Sequence, residues 1–410
     1  MSLTATERRI VLLMGLVQFI NILDFMMVMP LGPDFAAALG IPASHIGYVG
    51  GSYTVAAAVS GLIASFFLDR FDRRAALAVS LAGLAVATAA GGLAVDLPTL
   101  LLARIAAGAL GGPAYALSMS VIADNVAVER RGRAMGLVMG AFAASSVLGV
   151  PIGLELARLG GWRMPFFAVA ALGALVMLAV FQVLTPQRAH LGGNAVSSLE
   201  RLVSLFGRRR MWLAYALAVL MMMQGFMIIP NIAAYAQFNL DFPRAQMGLL
   251  YLLGGSISFF GTRAAGSLVD RFGSAPVTLV TTVLFCAVIW SIFVDYWTGL
   301  PLLALFPLFM FFSSARMVAN SAIISKVPEP RERAGFSSMV GAVHHLASAM
   351  GAFLSAMILD TAADGSLLHM PANGITAIAL GVPIPLLMVW LERDVRRRAA
   401  PVRVPEEAVT

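Results

Sequence analysis

The stretch ASFFLDRFDRRAAL, from Ala64 to Leu77, decides the fold, because it sets five charged residues in six positions between two long apolar runs. In a chain of 410 residues, of which 60% are hydrophobic and 12% are charged, such a cluster is conspicuous. Charges that interrupt long apolar runs are typical of loops at a membrane surface. The runs on either side are therefore candidate membrane-spanning helices.

The chain as a whole is too apolar for a single soluble core, with a mean hydropathy of +0.87. A helix needs about 20 mostly apolar residues to cross the roughly 30 Å hydrocarbon layer. The alternating pattern of a membrane β-barrel is not seen. We predict an all-α membrane protein with twelve spans, at 10–31, 45–68, 75–95, 99–123, 134–157, 164–185, 211–236, 244–268, 276–296, 301–325, 334–359 and 373–391.

The positive charges predict the orientation of these spans. Only Arg158, Arg163 and Arg244 fall in loops on one side, whereas most of the 28 lysines and arginines fall on the other side, with both termini. By the positive-inside rule the second side is the cytoplasm. We therefore expect an inner-membrane protein. Because the distribution of its charges accounts for the net charge of +7, we expect no nucleic-acid partner. The first span is predicted to be retained, because its apolar run is too long for a signal peptide.

Motifs for catalysis, metal binding and nucleotide binding are not found. The single cysteine, Cys286, excludes an internal disulfide and a cysteine-based metal site. No G-x-x-x-x-G-K-[ST] phosphate loop is present, so we expect no cofactor and an ion gradient, or the substrate's own gradient, as the source of energy. An intramembrane enzyme and a sensor without transport activity remain as disfavoured alternatives, because no nucleophile with a base and no added soluble domain is seen.

The charged stretch recurs about 200 residues later. Asp69-Arg70-Phe71 reappears as Asp270-Arg271-Phe272, and Pro30 has its counterpart in Pro230. Two six-span halves repeated in parallel are the plan of carriers that hold their substrate near the bilayer midplane. The predicted organisation is an N-terminal half at 1–185, a cytoplasmic loop at 186–210, a C-terminal half at 211–392 and a cytoplasmic tail at 393–410.

Over nearly its whole length the chain resembles the major facilitator superfamily. The family signature between spans 2 and 3 is G-x-L-A-D-R-x-G-R-K. Its charged positions are occupied here by Asp69, Arg70, Arg73 and Arg74, whereas Ser65 and Asp72 replace its glycines. The resemblance implies the twelve-helix fold of this family, with both termini in the cytoplasm. We expect a monomer.

The resemblance also implies a conformational gate at the inner mouth. Asp69 is expected to face the positive N-terminal end of span 11, while Arg73 reaches Asp124, and Arg70, Asp270 and Arg271 belong to the same gate. The alternative is a plain positive-inside anchor, which explains the arginines but not Asp69. Asp72 is predicted either to weaken the gate or to pair with Arg131.

Two further motifs are similar to those of the drug:proton antiporter branch. Arg104-x-x-x-Gly108-x-x-Gly111-Gly112 is similar to R-x-x-Q-G-x-G, with Ala107 in place of the glutamine. Gly149-Val-Pro151-Ile-Gly153 is similar to the antiporter motif G-P-x-x-G-G, with one residue inserted. Together with Gly161-Trp162-Arg163, this form looks most like the arabinose-efflux-type permeases. The resemblance implies proton-coupled efflux.

Asp24 and Arg104 are the candidate proton-coupling residues. Asp24 is the one carboxylate well inside a predicted span, and counting about 1.5 Å per residue places Arg104 at a similar depth. An unpaired charge there costs at least ~2.5–3.5 kcal/mol, so an ion pair between neighbouring spans 1 and 4 is expected. Protonation of Asp24 would then free Arg104. The alternative is a permanent ion pair that only fixes helix packing.

Seven residues are candidates for the substrate cavity. Gln224 is the counterpart of Asp24 after a shift of 200, although a helix-to-helix hydrogen bond is equally expected of it. Arg316 and Asn320 share one helix face and favour an anionic or zwitterionic group. His344 and His345 point about 100° apart, so at most one faces the cavity. The aromatic candidates are Tyr53 and Phe226.

These observations together predict a secondary active transporter that exports small apolar or amphipathic compounds in exchange for protons by alternating access. The alternative within transport is an exporter of a sugar, a metabolite or a lysolipid. No metal site is predicted, because His344 and His345 have no second cluster of ligands at suitable spacing.

Overall fold

The computed structural model describes residues 3–67, 70–188, 209–329 and 333–399. The predicted all-α membrane fold is confirmed, with long helices numbered α1 to α12 after the predicted spans. The N-terminal half contains α1 (Ala5–Val28), α2 (Ile46–Phe67), α3 (Arg73–Gly92), α4 (Leu97–Asn125), α5 (Val128–Ala144 and Val150–Gly160) and α6 (Arg163–Val183). The C-terminal half contains α7 (Arg209–Ile228), α8 (Met247–Phe272), α9 (Ser274–Ile289), α10 (Leu302–Ile324), α11 (Arg333–Ile358) and α12 (Met370–Gly381 and Ile384–Ala399).

Short elements fill the outer loops and helix ends. These are the helix Gly32–Leu39, the turns Ala43–His45, Ile229–Asn231, Ile232–Ala234, Tyr235–Asn239, Arg244–Gln246 and Trp290–Val294, and the strands β1 (Asp360–Thr361) and β2 (Leu367–Leu368). The two strands pair antiparallel in a hairpin after α11. A hairpin of two-residue strands does not change the helical class of the protein.

Within the described residues, eleven helical stretches are long and apolar enough to cross a membrane. The predicted span at 244–268 is the exception. It forms α8, which has 26 residues but carries Arg263, Asp270 and Arg271. Since α8 packs against α5 and α10, it belongs to the same bundle as the other eleven.

The last helix extends beyond its predicted end at residue 391. The second part of α12 continues to Ala399, into the predicted cytoplasmic tail. Arg396 pairs with Glu392, and Arg398 pairs with Asp394, each at 2.8 Å and one helical turn apart. Basic residues in a last turn also favour the helix dipole. The predicted central loop, in contrast, lies largely outside the described residues.

A π-helical turn divides α5. The turn covers Ser145–Gly149, and the N–H of Val150 donates to the carbonyl oxygen of Ser145, five residues earlier. Pro151 follows at once and has no N–H to donate, so the regular i to i−4 ladder is interrupted here. The regular hydrogen bonding is therefore interrupted in the middle of α5 rather than at its end.

The two halves contact each other along α2 with α11 and along α5 with α8. Glycines permit the close approach, because a side chain at Gly47 would collide with the backbone of Ala352. On the outer side, Arg244 donates to Asp34 through hydrogen bonds of 2.8 and 2.5 Å. The outer ends of the two halves are therefore joined by both packing and charge.

Candidate functional site

Asp24 and Arg104 form an ion pair inside the N-terminal half. The Nη1 atom of Arg104 lies 3.1 and 3.0 Å from the two carboxylate oxygens, and Nη2 donates to the backbone carbonyl oxygen of Asp24 at 3.2 Å. The side chains are 0% and 1% exposed. The pairing expected from their similar depth is therefore present between α1 and α4.

Two further side chains complete this N-terminal cluster, which we define as Asp24, Tyr53, Thr88 and Arg104. Thr88 on α3 donates its hydroxyl hydrogen to the carboxylate of Asp24 at 2.7 Å. The guanidinium carbon of Arg104 lies 4.6 Å from the centre of the Tyr53 ring. The carboxylate of Asp24 thus accepts hydrogen bonds from two side chains, Thr88 and Arg104, in a buried site.

An aromatic stack connects this cluster with the other half. The ring of Phe25 lies 5.4 Å from that of Tyr53 and 6.0 Å from that of Phe226, and both pairs are stacked. Tyr53 is buried and Phe226 is half-buried. Since Phe226 belongs to α7, the stack crosses from the N-terminal to the C-terminal half beside Arg104.

The C-terminal cluster is built from Gln224, Cys286, Arg316 and Asn320. Arg316 on α10 donates to the side-chain oxygen of Gln224 on α7 at 2.5 Å, and its guanidinium carbon lies 4.5 Å from the centre of the Phe285 ring. Gln224 donates in turn to the sulfur of Cys286 at 3.5 Å. Gln224 and Arg316 are buried. Among the described residues, no carboxylate neutralises Arg316.

Buried polar atoms without hydrogen-bond partners concentrate around this cluster. Among the described residues, neither polar atom of the Asn320 amide has a partner, nor has Nε of Arg316. The hydroxyl oxygens of Thr278 and Thr282 on α9 are also buried and have no hydrogen-bond partner among the described residues. A buried polar group without a partner costs about 1–3 kcal/mol. The cluster therefore has donors and acceptors ready for a polar ligand.

The arginines of the two clusters differ in position along their helices. Arg104 follows the outer end of α4 by seven residues, whereas Arg316 follows the outer end of α10 by fourteen. At 1.5 Å per residue, this is a difference of about 10 Å along the helix. Their partners Asp24 and Gln224, in contrast, each lie four residues before the outer end of α1 or α7.

The two histidines differ in their surroundings, as their adjacent positions on a helix require. His344 is half-buried, and its Nε2 has no partner among the described residues. His345 is exposed on the surface of α11. The difference in exposure agrees with two side chains that point in different directions from α11.

The predicted gate residues lie at the inner ends of the helices, far from both clusters. Arg73 forms an ion pair with Asp124, as expected, and donates to the carbonyl oxygen of Ser120 at 3.2 Å. Both partners belong to the N-terminal half, so this pair joins α3 to α4. Arg70, Asp270 and Arg271 are exposed. Asp69 lies outside the described residues.

Asp72 does not pair with Arg131, and that alternative was wrong. Its carboxylate caps the start of α3 by accepting from the backbone N–H of Arg74 at 2.9 Å, and it also accepts from Gln187 at 3.1 Å and Arg188 at 3.2 Å. Burial opposes ionisation, but these donors outweigh it, so the pKa of Asp72 lies below its usual value. Arg131 donates instead to the carbonyl oxygen of Val126.

The residues of the antiporter motif lie at the end of the π-helical turn in α5 and just after it. A side chain at Gly149 would collide with Leu23 of α1, and Gly153 faces Met27 of the same helix. The hydroxyl of Ser145, in the same turn, donates to the carbonyl oxygen of Phe19 at 3.1 Å. The motif thus lets α5 approach the helix that carries Asp24.

Sequence reasoning missed the contributions of α3 and α9. Thr88 gives only the weak signal of one polar residue in an apolar helix, and its distance of 64 residues from Asp24 hides the contact. Cys286 was used only to exclude a disulfide and a metal site, yet its sulfur accepts a hydrogen bond from Gln224. Phe25 was not singled out, because one phenylalanine among 25 has no distinguishing pattern.

Comparisons with known proteins agree with this architecture. A sequence model described as Major Facilitator Superfamily matches residues 14–275 and 216–409. A chloramphenicol resistance protein of Streptomyces lividans is 26% identical over 391 residues, which cover 92% of this chain and 94% of that protein.

Solved structures share the fold. A bacterial homolog of the human lysosomal transporter Spinster, inward-facing and unoccupied, aligns with a TM-score of 0.76 at 15% identity, over 98% of this chain and 100% of its own. A D-xylose–proton symporter aligns with a TM-score of 0.76 at 18% identity, over 93% of this chain and 97% of its own. At such identities the likeness shows the fold alone.

Proposed function

This chain belongs to the Major Facilitator Superfamily, and on that premise we propose that it exports a small amphipathic compound across the inner membrane in exchange for protons. It is a multi-pass membrane transporter by its family and by its apolar helices. The similarity to a chloramphenicol resistance protein supports efflux as the direction of transport. The substrate that we propose has an apolar body and a polar group rich in hydrogen-bond acceptors.

The buried ion pair of Asp24 and Arg104 is the single observation that carries the proton coupling. A proton on Asp24 removes the negative charge that faces Arg104, and it leaves a buried cation held only by a carbonyl oxygen and the Tyr53 ring. Such a cation is costly at this depth, so α4 must move relative to α1 or recruit another partner. Proton binding thereby changes the relative stability of the two conformations.

The C-terminal cluster supports the proposed substrate class. Arg316 offers a buried positive charge that no carboxylate of the described residues neutralises, and Asn320 offers one donor group and one acceptor within a helical turn of it. A substrate that brings acceptor atoms here satisfies groups that are otherwise unpaired. The stacked rings of Phe25 and Phe226 add an apolar surface on α1 and α7, and α7 is also the helix that carries Gln224.

Transport into reconstituted proteoliposomes, driven by a pH step, tests this proposal. Chloramphenicol, a sugar and a lysolipid are compared as substrates. We expect Asp24→Asn to abolish pH-driven accumulation while substrate exchange without a pH gradient continues. The matched control is Glu155→Gln, which neutralises an exposed outer carboxylate paired with Arg158.

Full pH-driven accumulation by Asp24→Asn would remove the proposed coupling. Export of the sugar or the lysolipid, but not of chloramphenicol, would leave the coupling intact and change the substrate class. A folded protein with no flux of any compound would instead support a sensor without transport activity.

A further inference from the structure

The cytoplasmic end of the C-terminal half carries a cavity for which the transport cycle has no use. It has a volume of about 460 Å³ and lies between the start of α7 and the end of α12. We call it the basic cavity, and its walls include Arg210, Trp390, Arg393, Asp394, Arg397 and Arg398. By the distribution of positive charges, it opens where the inner leaflet meets the cytoplasm.

Positive charge dominates the basic cavity. Four arginines face one aspartate, which is already bound to Arg398 at 2.8 Å. Arg210 is bound to Glu329 at 3.2 Å. In the part of the chain that the structure describes, Arg393 and Arg397 form no ion pair. Guanidinium groups present planar sets of donors that match the oxygens of a phosphate, so this cavity is suited to an anionic phosphate group.

An apolar surface continues from the arginines toward the membrane interior. Leu386, Trp390, Arg393 and Arg397 follow one another at steps of four, three and four residues, so they form one stripe along α12. Leu386 is 51% and Trp390 is 47% exposed, and both arginines are exposed. The stripe thus changes from apolar to aromatic to basic as it approaches the cytoplasm.

This order matches the order of groups in an anionic phospholipid. Acyl chains lie deepest, the glycerol region is at the level where tryptophan is enriched, and the phosphate is at the surface. Basic cavities between helices on the cytoplasmic side are suited to such headgroups. A free phosphate compound uses the arginines but gains nothing from Leu386.

We propose that the basic cavity binds the phosphate of an anionic phospholipid of the inner leaflet. Arg393 and Arg397 hold the phosphate, Trp390 lies beside the glycerol region, and an acyl chain runs along Leu386. This site is separate from both polar clusters, and its occupation does not depend on the identity of the transported compound.

Binding of short-chain lipids to the full chain in detergent tests the proposal. Dioctanoyl phosphatidylglycerol, dioctanoyl phosphatidylcholine and inorganic phosphate are titrated separately by thermophoresis. We expect saturable binding of phosphatidylglycerol only, weakened at least tenfold by the double variant Arg393→Ala/Arg397→Ala. The matched control, Arg8→Ala/Arg9→Ala, removes two exposed arginines at the same membrane face and is expected to bind like the parent protein.

Equal affinity of the two double variants for phosphatidylglycerol would overturn the proposal, because general surface charge would then account for the binding. Inorganic phosphate that binds as tightly as phosphatidylglycerol would also overturn it and would point to a soluble ligand. As a further check, Leu386→Ser is expected to weaken the binding of phosphatidylglycerol at least threefold and to leave the response to inorganic phosphate unchanged. Unfolding temperatures of all variants verify that each protein is folded.

Discussion

The two halves place their buried polar groups on corresponding helices but give them different charges. In the N-terminal half the groups come from α1, α3 and α4, and they are Asp24, Thr88 and Arg104. In the C-terminal half they come from α7, α9 and α10, and they are Gln224, Cys286 and Arg316. The repeat therefore determines on which helices the polar groups lie, whereas individual side chains determine the charge at each position.

This difference separates two tasks. The arginine of the N-terminal cluster is neutralised within the protein, so a proton is the simplest species that changes its charge balance. Among the described residues, the arginine of the C-terminal cluster is hydrogen-bonded to a neutral amide and to no carboxylate, so in the proposed function a negative or acceptor-rich group comes from the substrate. The proposed function therefore assigns proton binding to the N-terminal half and substrate binding to the C-terminal half.

The largest expected effect comes from breaking the ion pair on one side only. Arg104→Gln leaves the buried carboxylate of Asp24 without a cation, which should cost about 3–5 kcal/mol of unfolding free energy and abolish pH-driven transport. Thermal unfolding in detergent and proteoliposome flux measure the two effects. Asp24→Asn/Arg104→Gln should recover most of the stability without the transport. A single variant as stable as the parent protein would show that the pair is not needed for folding.

The next test makes the C-terminal cluster resemble the N-terminal one. Gln224→Glu changes little in shape and sets a carboxylate against Arg316, so the unfolding temperature should be maintained. The Kd for substrate should rise at least tenfold, about 1.4 kcal/mol, because the cation is neutralised. Gln237→Glu, in the turn Tyr235–Asn239 beyond the outer end of α7, is the control. An unchanged Kd would separate Arg316 from substrate binding.

A smaller effect distinguishes ligand binding from packing at Asn320. Neither polar atom of its buried amide has a partner among the described residues, so Asn320→Leu should keep or raise the unfolding temperature. Transport should nevertheless fall several-fold, because one donor and one acceptor for substrate are lost. Destabilisation by more than ~2 kcal/mol would reveal a structural role for the amide instead.

The test with the smallest expected effect concerns the inner ends of α3 and α9. Asp72 caps α3, whereas Glu392 accepts from the N–H of Ala275 at the start of α9. Asp72→Ala should cost about 1 kcal/mol near neutral pH. Since folding lowers the pKa of Asp72, its contribution is present above its ordinary pKa of about 3.9 and is lost as the pH falls through the lower folded value. Parent and variant should therefore converge in thermal unfolding at low pH; a constant difference would contradict the assignment.

The sequence predicted the helical bundle, its repeat and the Asp24–Arg104 pair because each depends on strong local signals. Apolar runs have to cross the bilayer, and a charge inside a run has to find a partner. The contacts of Thr88 and Cys286 were not predictable in the same way. They depend on how α3 and α9 are rotated, and hydropathy contains no information on rotation in a helix that is apolar on nearly all sides.

Two other differences have local causes. Hydropathy predicts a tail for the charged segment at the end of α12. Ion pairs between Glu392 and Arg396 and between Asp394 and Arg398 stabilise a helix there instead. The partner of Asp72 was misjudged because the chain after α6 returns to the start of α3, and this return brings Gln187 and Arg188 to the carboxylate.

The Asp34–Arg244 ion pair has a consequence outside the cell. It joins the two halves on the outer surface, and its side chains are 24% and 27% exposed, so dissolved ions reach it. The Debye length falls from about 10 Å at 0.1 M salt to about 3 Å at 1 M, which weakens exposed charge pairs. High salt outside the cell should therefore weaken the contact between the outer ends, so the strength of this contact depends on the medium around the cell.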